Sequence, residues 1–205
     1  MGRNNGPQCR ICRRLGVKLF LKGKRCFSPS CPIERKGAIA PGVHGRRFSR
    51  PSPYKKQLLE KQKLKVSYGI SERQLKNYFK KARESGKETD LIFMQMLESR
   101  LDNVIFRLGL APNRKTVRQL INHGKVMVDS RRVTIPSFSV KPGQVVAIKE
   151  EASKIPQVRD AYSEKVTPSP WLKRKALIGK MIRWPKKEEI NTQVDIRSII
   201  EFYSR

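Results

Sequence analysis

The amino-acid sequence predicts an α+β fold. The parts expected are a mostly helical domain, a small inserted α/β module of two helices plus short β hairpins, and an N-terminal four-cysteine knuckle. Three observations lead there. Between Leu97 and Ile148 the apolar spacing changes from three-and-four to two, as when helices give way to strands. The stretch before it, and the final stretch from Ile196 to Tyr203, read as helices. All four cysteines stand in two close pairs near the N-terminus. The expected division is 1–45, then 46–98 together with 153–205, with 99–152 as the module.

Cys9-x2-Cys12 is followed, thirteen residues on, by Cys26-x4-Cys31. Two such knuckles can present four thiolates to one tetrahedral ion, with no position left for substrate, so the site is structural. One Zn²⁺ on Cys9, Cys12, Cys26 and Cys31 is expected, because metal fixes a loop with too few apolar residues to fold alone. An iron–sulfur cluster is the alternative. Residues 37–53 form a Gly/Pro-rich basic linker. In it His44 reads as a solvated or contact residue rather than a ligand.

Tyr54 to Tyr68 reads as a basic helix with a narrow apolar side of Leu58, Leu59 and Leu64. Ser71 and Gln74 form a capping box for a helix reaching Glu84, buried through Leu75, Tyr78, Phe79 and Ala82. Thr89 or Asp90 caps a long helix that runs into the module. Leu97, Leu101, Val104, Ile105 and Leu108 make its stripe, and Gly109 and Pro112 end it. A second module helix starts at Arg114. Val117, Leu120 and Ile121 face inward, and Gly124 stops it. Val126 and Val128 alternate with Met127, Val133 and Ile135 follow a turn, and Val145 to Ile148 closes the β part. Beyond Ala152 the chain is expected to loosen, with Trp171 and Trp184 as packing anchors. A basic segment follows, and then a last helix that returns to the first helical domain.

Lys and Arg number 46 against 17 Asp and Glu, a net +29 with a pI near 10.6. That balance is the electrostatic footprint of nucleic-acid binding. It is uneven. Residues 1–65 hold 18 bases and 2 acids, whereas 66–99 hold 6 and 5. The first third therefore needs RNA, metal or both to order it, and the second should pack against protein. No apolar run approaches a membrane span, and the N-terminus lacks a signal-peptide core, so a cytoplasmic protein with no membrane partner is expected. The basic helix face and hairpin from Arg114 to Arg132 suit a phosphate backbone, whose condensed counterions they release.

The runs Leu97-Glu98-Ser99-Arg100-Leu101-Asp102-Asn103, Arg107-Leu108-Gly109, Arg118-Gln119-Leu120 and His123-Gly124 resemble the bacterial small-subunit ribosomal protein four family. They also resemble the RNA-binding domain that some RNA-modifying enzymes and tyrosyl-tRNA synthetases share with it. Arg46-Arg47, Tyr54-Lys55-Lys56, Lys61-Gln62-Lys63 and the ending Ile200 to Arg205 extend the likeness over nearly the whole chain. The resemblance implies RNA contacts at Arg114, Arg118, Gln119, His123, Lys125, Arg131 and Arg132; the basic stretches themselves add Arg46, Arg47, Tyr54, Lys55, Lys56, Lys61, Lys63 and Lys115 as candidate contacts. It implies a structural constituent of the small subunit that binds rRNA directly. Such a protein nucleates assembly of the 16S rRNA 5′ domain at a multi-helix junction, contacts small-subunit protein five and other subunit proteins, lies near the mRNA entrance and affects decoding accuracy. Zinc-binding members carry a similar four-cysteine start. Two positions depart from the pattern: Asp129-Ser130 where an Asn-Gly-like turn is common, and Val117 where Ala is common.

Arg100-Leu101-Asp102 also resembles the triplet around the catalytic Asp of pseudouridine synthases. Here it sits inside a module helix, and too little chain remains for a catalytic domain. No phosphate-cradling loop, paired acids or His/Cys nucleophile is legible. The sequence therefore predicts a protein that is not an enzyme. A zinc-containing DNA regulator would need a groove-entering helix and a dimer interface, and neither is legible.

Overall fold

The computed structural model describes residues 6–45, 50–163, 167–190 and 192–204. Its helices are α1 (Gln8–Leu15), α2 (Pro32–Lys36), α3 (Pro53–Tyr68), α4 (Glu72–Glu84), α5 (Thr89–Glu98), α6 (Leu101–Arg107), α7 (Arg114–Asn122), α8 (Glu150–Ser153), α9 (Pro156–Ser163) and α10 (Ile196–Tyr203). Its strands are β1 (Val126–Val128), β2 (Arg131–Arg132), β3 (Val145–Ile148), β4 (Leu172–Lys175) and β5 (Ile178–Met181). The chain forms two compact units, Met1–Glu84 with Thr192–Arg205, and Ser85–Asn191.

In the first unit, Ser52 caps α3 by accepting from the Lys55 amide, and Pro53 opens the helix. The buried stripe is Gln57, Lys61, Leu64 and Tyr68, whereas Leu58 and Leu59 are only half-buried. The apolar side expected from the leucines is thus turned by about one residue. The partner on that stripe explains it. Helix α10 packs along α3 with Ile199 fully buried. Gln57 donates to Glu201 at 2.9 Å, and the Lys61 ammonium lies 4.2 Å from the Phe202 ring centroid. Lys61 also pairs with Glu72 of α4 at 2.8 Å. Tyr203 donates to the same carboxylate at 2.8 Å and stacks on Phe79. The Ser71–Gln74 capping box closes with both bonds at 3.2 Å.

The second unit holds a five-stranded antiparallel sheet, ordered β2-β1-β3-β5-β4. Its inner face, with Val126, Val128, Val146, Ile148, Leu172 and Met181, meets Leu101, Val104, Ile105 and Leu108 of the α6 segment and Val117, Leu120 and Ile121 of α7 in one core. Three expectations need correction here. First, the basic segment after Trp171 is not part of a helical domain. It forms β4 and β5 and widens the sheet. Gly179 makes this possible, since a Cβ there would stand 2.3 Å from the Leu108 side chain. Arg174 adds a tie by donating to the Leu108 and Gly109 carbonyls at the end of α6. Second, the long helix breaks between Glu98 and Leu101. Arg100 is extended and bridges Ser139, the Leu101 amide donates to Phe138, and the Val140 amide donates to Ser99. A passing loop takes the backbone groups that a continuous helix would have used. Third, the chain after Ala152 is helical in α9, where Val158 is fully buried in the core.

By packing, the compact units divide at 84/85 and 191/192. Helix α5 leads straight into α6, and the last two strands come from beyond 170. Trp171 is buried as expected, but Trp184 is 40% exposed.

Candidate nucleic-acid interface

The α6–α7 pair is built on two buried carboxylates, each 1% exposed. Asp102 receives Arg100 through two bonds of 2.9–3.0 Å and Arg118 at 2.6–2.7 Å. Glu98 receives Arg107 at 2.7 and 3.1 Å and the Asn103 amide at 2.6 Å. The Asn103 oxygen accepts twice from Arg114, whose guanidinium also lies 4.2 Å from the Phe106 centroid. Charges this deep persist only when paired and fully hydrogen-bonded. The triplet that resembles a catalytic motif is thus a structural clamp. It holds α6 against α7.

Asn113 caps α7 by accepting from the Thr116 amide at 2.9 Å. Lys115, Gln119 and His123 are exposed, as α7's inward Val117, Leu120 and Ile121 require. Gly124, at φ +66°, then turns the chain into β1, and the Arg132 guanidinium rests against it. A Cβ at 124 would stand 2.1 Å from Arg132. This seat brings β2 to the end of α7 beside His123. Asp129 and Ser130 both adopt positive φ, +46° and +66°, so the hairpin is a tight two-residue turn despite lacking Asn-Gly. The Asp129 carboxylate supports it by accepting from the Val145 amide and Gln144. Exposed Arg131 and Arg132 follow.

The expected contact residues thus fall into three groups. Lys115, Gln119, His123, Arg131 and Arg132 are exposed on α7 and β2, and Tyr54, Lys55 and Lys56 are exposed on α3. Arg114 and Arg118 are partly buried and clamp the core. Lys125 pairs with Glu151, whose carboxyl that ion pair holds low, and Lys63 pairs with Glu60 at 2.6 Å. Lys61 is inside the first unit and is a packing residue. Arg46 and Arg47 lie outside the described residues. The sequence reading missed Arg174, Lys173, Lys175 and Lys180, because the Ala176-Leu177 turn between their strands carries no Asn or Gly signal. Ala176 itself takes φ +53°.

In the N-terminal segment, Cys9 and Cys12 share a face of α1, Cys26 ends a short 3-10 turn, and Cys31 precedes α2. All four are free thiols; Cys9 is half-buried and the others are buried. Burial pushes the Cys12 thiol up, a Leu19 backbone bond opposes this, and the charges of Cys26, Cys9 and Cys31 add to it. The donor set suits a thiophilic ion. Even so, among the described residues no group of three or more His, Cys, Asp or Glu side chains is arranged as a metal shell.

Fixed cations on a helix and hairpin over a packed core suit contact with a nucleic-acid backbone. Residues 3–98 match the ribosomal protein S4/S9 N-terminal domain, and residues 99–146 match the S4 domain. The chain is 46% identical to the small ribosomal subunit protein uS4 of Thermus thermophilus, over all of both chains. It is 44% identical to that of Kosmotoga olearia and 45% to that of Dictyoglomus turgidum, again at full coverage. The chain belongs to the ribosomal protein S4 (uS4) family, a family of structural ribosomal proteins and not of enzymes.

Proposed function

We propose that this chain is a structural constituent of the small ribosomal subunit in the cytoplasm. It binds 16S rRNA directly and nucleates assembly of the 5′ domain at a multi-helix junction. The observation that carries this reading is the clamped α6–α7 pair with exposed Lys115, Gln119, His123, Arg131 and Arg132 beside it. A polycation needs only charge to bind any nucleic acid. Selection of one folded site needs cations at fixed spacing, and a rigid support supplies that. Small-subunit protein five and mRNA at its entrance to the subunit are its expected neighbours, with decoding accuracy as the function affected. The test is competition near physiological salt. The junction RNA should outcompete a plain RNA duplex of equal length and DNA of equal charge. Equal competition by the duplex would reduce the protein to a nonspecific polycation.

The same reading assigns one structural Zn²⁺ to Cys9, Cys12, Cys26 and Cys31. Four free thiols in a segment where, among the described residues, Leu19 is the other buried apolar side chain support it. Elemental analysis should find about one zinc per chain; iron with sulfide, or no metal, rules the zinc out.

A further inference from the structure

The sheet's outer face carries a second feature; of the β1–β2 hairpin's cations only Arg132, opposite Met127 at the far edge, shares that face, and its guanidinium turns back onto Gly124. The register fixes which side chains share that face. Met127 pairs with Ala147, Ala147 with Ile178, Val145 with Lys180, and Lys180 with Lys173, while Lys175 pairs with Ile178. Their neighbours along each strand, Val128, Val146, Gly179 and Met181, are buried on the inner side. The outer face therefore runs from a central aliphatic strip of Met127, Val145, Ala147 and Ile178 to a cationic margin of Lys173, Lys175 and Lys180. Ile178 is 50% exposed and all three lysines are exposed. Leu108, at the end of α6, packs on the opposite side, where it fills the space over Gly179, while Met127, Val145 and Ala147 on the outer side are half-buried.

Lys173 and Lys180 stand directly opposite one another, with Lys175 two residues along. Like charges so placed destabilise a strand pair. Among the described residues none of the three has an ion-pair partner, and none of the paired face positions is acidic. Elsewhere on this unit, surface cations do find acids: Lys125 has Glu151, Lys187 has Glu88 and Asp90, and Arg183 has Glu189. On β4 and β5 the like charges face one another directly across the strand pair, and a polyanion would relieve that repulsion.

We infer that the outer face of the β3–β5–β4 sheet is a second RNA-backbone contact surface, separate from the α7–hairpin surface, so that one module holds two RNA segments at once. RNA is favoured over a protein partner for two reasons. Lysine is depleted in protein interfaces but is a common phosphate binder. The strip is also aliphatic and lacks aromatic rings, which fits contact with backbone and sugar rather than stacking of splayed bases. The inference rests on the rRNA-binding reading.

The experiment uses the full-length protein, the junction RNA and two variants. One is Lys173→Gln/Lys175→Gln/Lys180→Gln; the other is Lys115→Gln/Arg131→Gln. Affinity against salt and hydroxyl-radical footprints are measured for each. The sheet-face variant should bind more weakly, with a salt slope shallower by roughly three, about one unit for each phosphate no longer neutralised. It should lose protection over an RNA segment different from the one that the α7–hairpin variant exposes. It should also melt no lower than the parent, since a like-charge pair has gone. Unchanged affinity and footprint for the sheet-face variant alone, as when that face docks protein, overturns the inference and leaves the main reading standing. Unchanged binding by the α7–hairpin variant counts against the main reading itself. Exposure of one shared segment by both variants also overturns the inference, because a single surface would then suffice.

Discussion

The two units are both rich in cations, but they are held together differently. The second has a continuous apolar core from Leu101 to Met181, with two paired carboxylates at its edge. The first has a smaller apolar core of Leu64, Leu75, Phe79, Ala82 and Ile199, but it also buries Lys61 and Gln57 inside its helical seam, and three thiols in its N-terminal segment. Cores of the first kind fold on hydrophobic burial. Assemblies of the second kind add specific polar contacts to burial, and so respond more to pH and partner. The difference teaches that high positive charge is compatible with a self-sufficient fold only where the cations stay outside a real core or are tied to acids at its edge.

The largest effect that could break this comparison is loss of the zinc site proposed at the four cysteines. Cys9→Ser or Cys26→Ser should disorder residues 8–36 and leave the second unit folded. Structural zinc sites in small peptides are worth about 10–16 kcal/mol, far more than the few apolar contacts here can replace. Hydrogen exchange resolved by peptide is the measurement. Loss of protection in α6 and α7 as well would show that the units do not fold independently.

Next in size is the clamp. Asp102→Ala leaves Arg100, 3% exposed, without its carboxylate. Removing one partner of a buried pair costs about 3–5 kcal/mol. Urea unfolding of the second unit should show a loss of that order. A loss under about 1 kcal/mol, the range of surface pairs, would mean that the apolar core alone sets the α6–α7 geometry.

The seam of the first unit should respond to pH at both ends. Burial alone would raise the Glu72 carboxyl, but bonds from Lys61, Tyr203 and Lys65 outweigh it and hold the group below its usual 4.5. Its contribution is present above that value and fades as pH falls through the lowered one. Burial pushes the Tyr203 phenol well above its usual 10, and its bond to Glu72 adds to this. That contribution is present below 10 and fades as pH rises. Protection of α10 against hydrogen exchange should therefore decline in both acid and strong alkali. Tyr203→Phe should remove the alkaline decline. A seam indifferent to both would assign the packing to Ile199 and the ring stacks alone.

Much of this was legible in the sequence, for reasons that differ by region. Helix α7 and strands β1 and β3 were readable because apolar periodicity there reports one buried face. The final helix was readable because Ile199, Phe202 and Tyr203 need a partner. The break at Ser99-Arg100 was not legible, since it depends on a loop forty residues downstream competing for backbone bonds. Strands β4 and β5 were hidden because lysines occupy three of their four outer positions and a glycine one inner position. Lys61 read as a contact residue because only tertiary packing reveals Phe202 over it. The exposed cations of the interface were legible as a class, but which arginines clamp and which face outward depended on the buried acids.

The smallest effect tests how far local chemistry matters inside a unit that its core already holds. Ser130 adopts φ +66° in the β1–β2 turn. A side chain in that region costs about 1–2 kcal/mol, whereas glycine enters it freely. Glycine also gives the unfolded chain more freedom, which returns about 0.5–1 kcal/mol of that gain. Ser130→Gly should therefore stabilise the second unit by about 0.5–1 kcal/mol. Asp129, whose carboxylate holds the Val145 amide at 2.8 Å, stays in place in this variant. The change should raise the denaturant midpoint without altering its slope, and RNA affinity should hold because Arg131 and Arg132 keep their register with Val128 and Met127. A marked gain in affinity would show that the turn is loose in the native protein and tightens only on RNA. The cations of β2 would then be ordered by the ligand, and the module would resemble the first unit more than its core suggests.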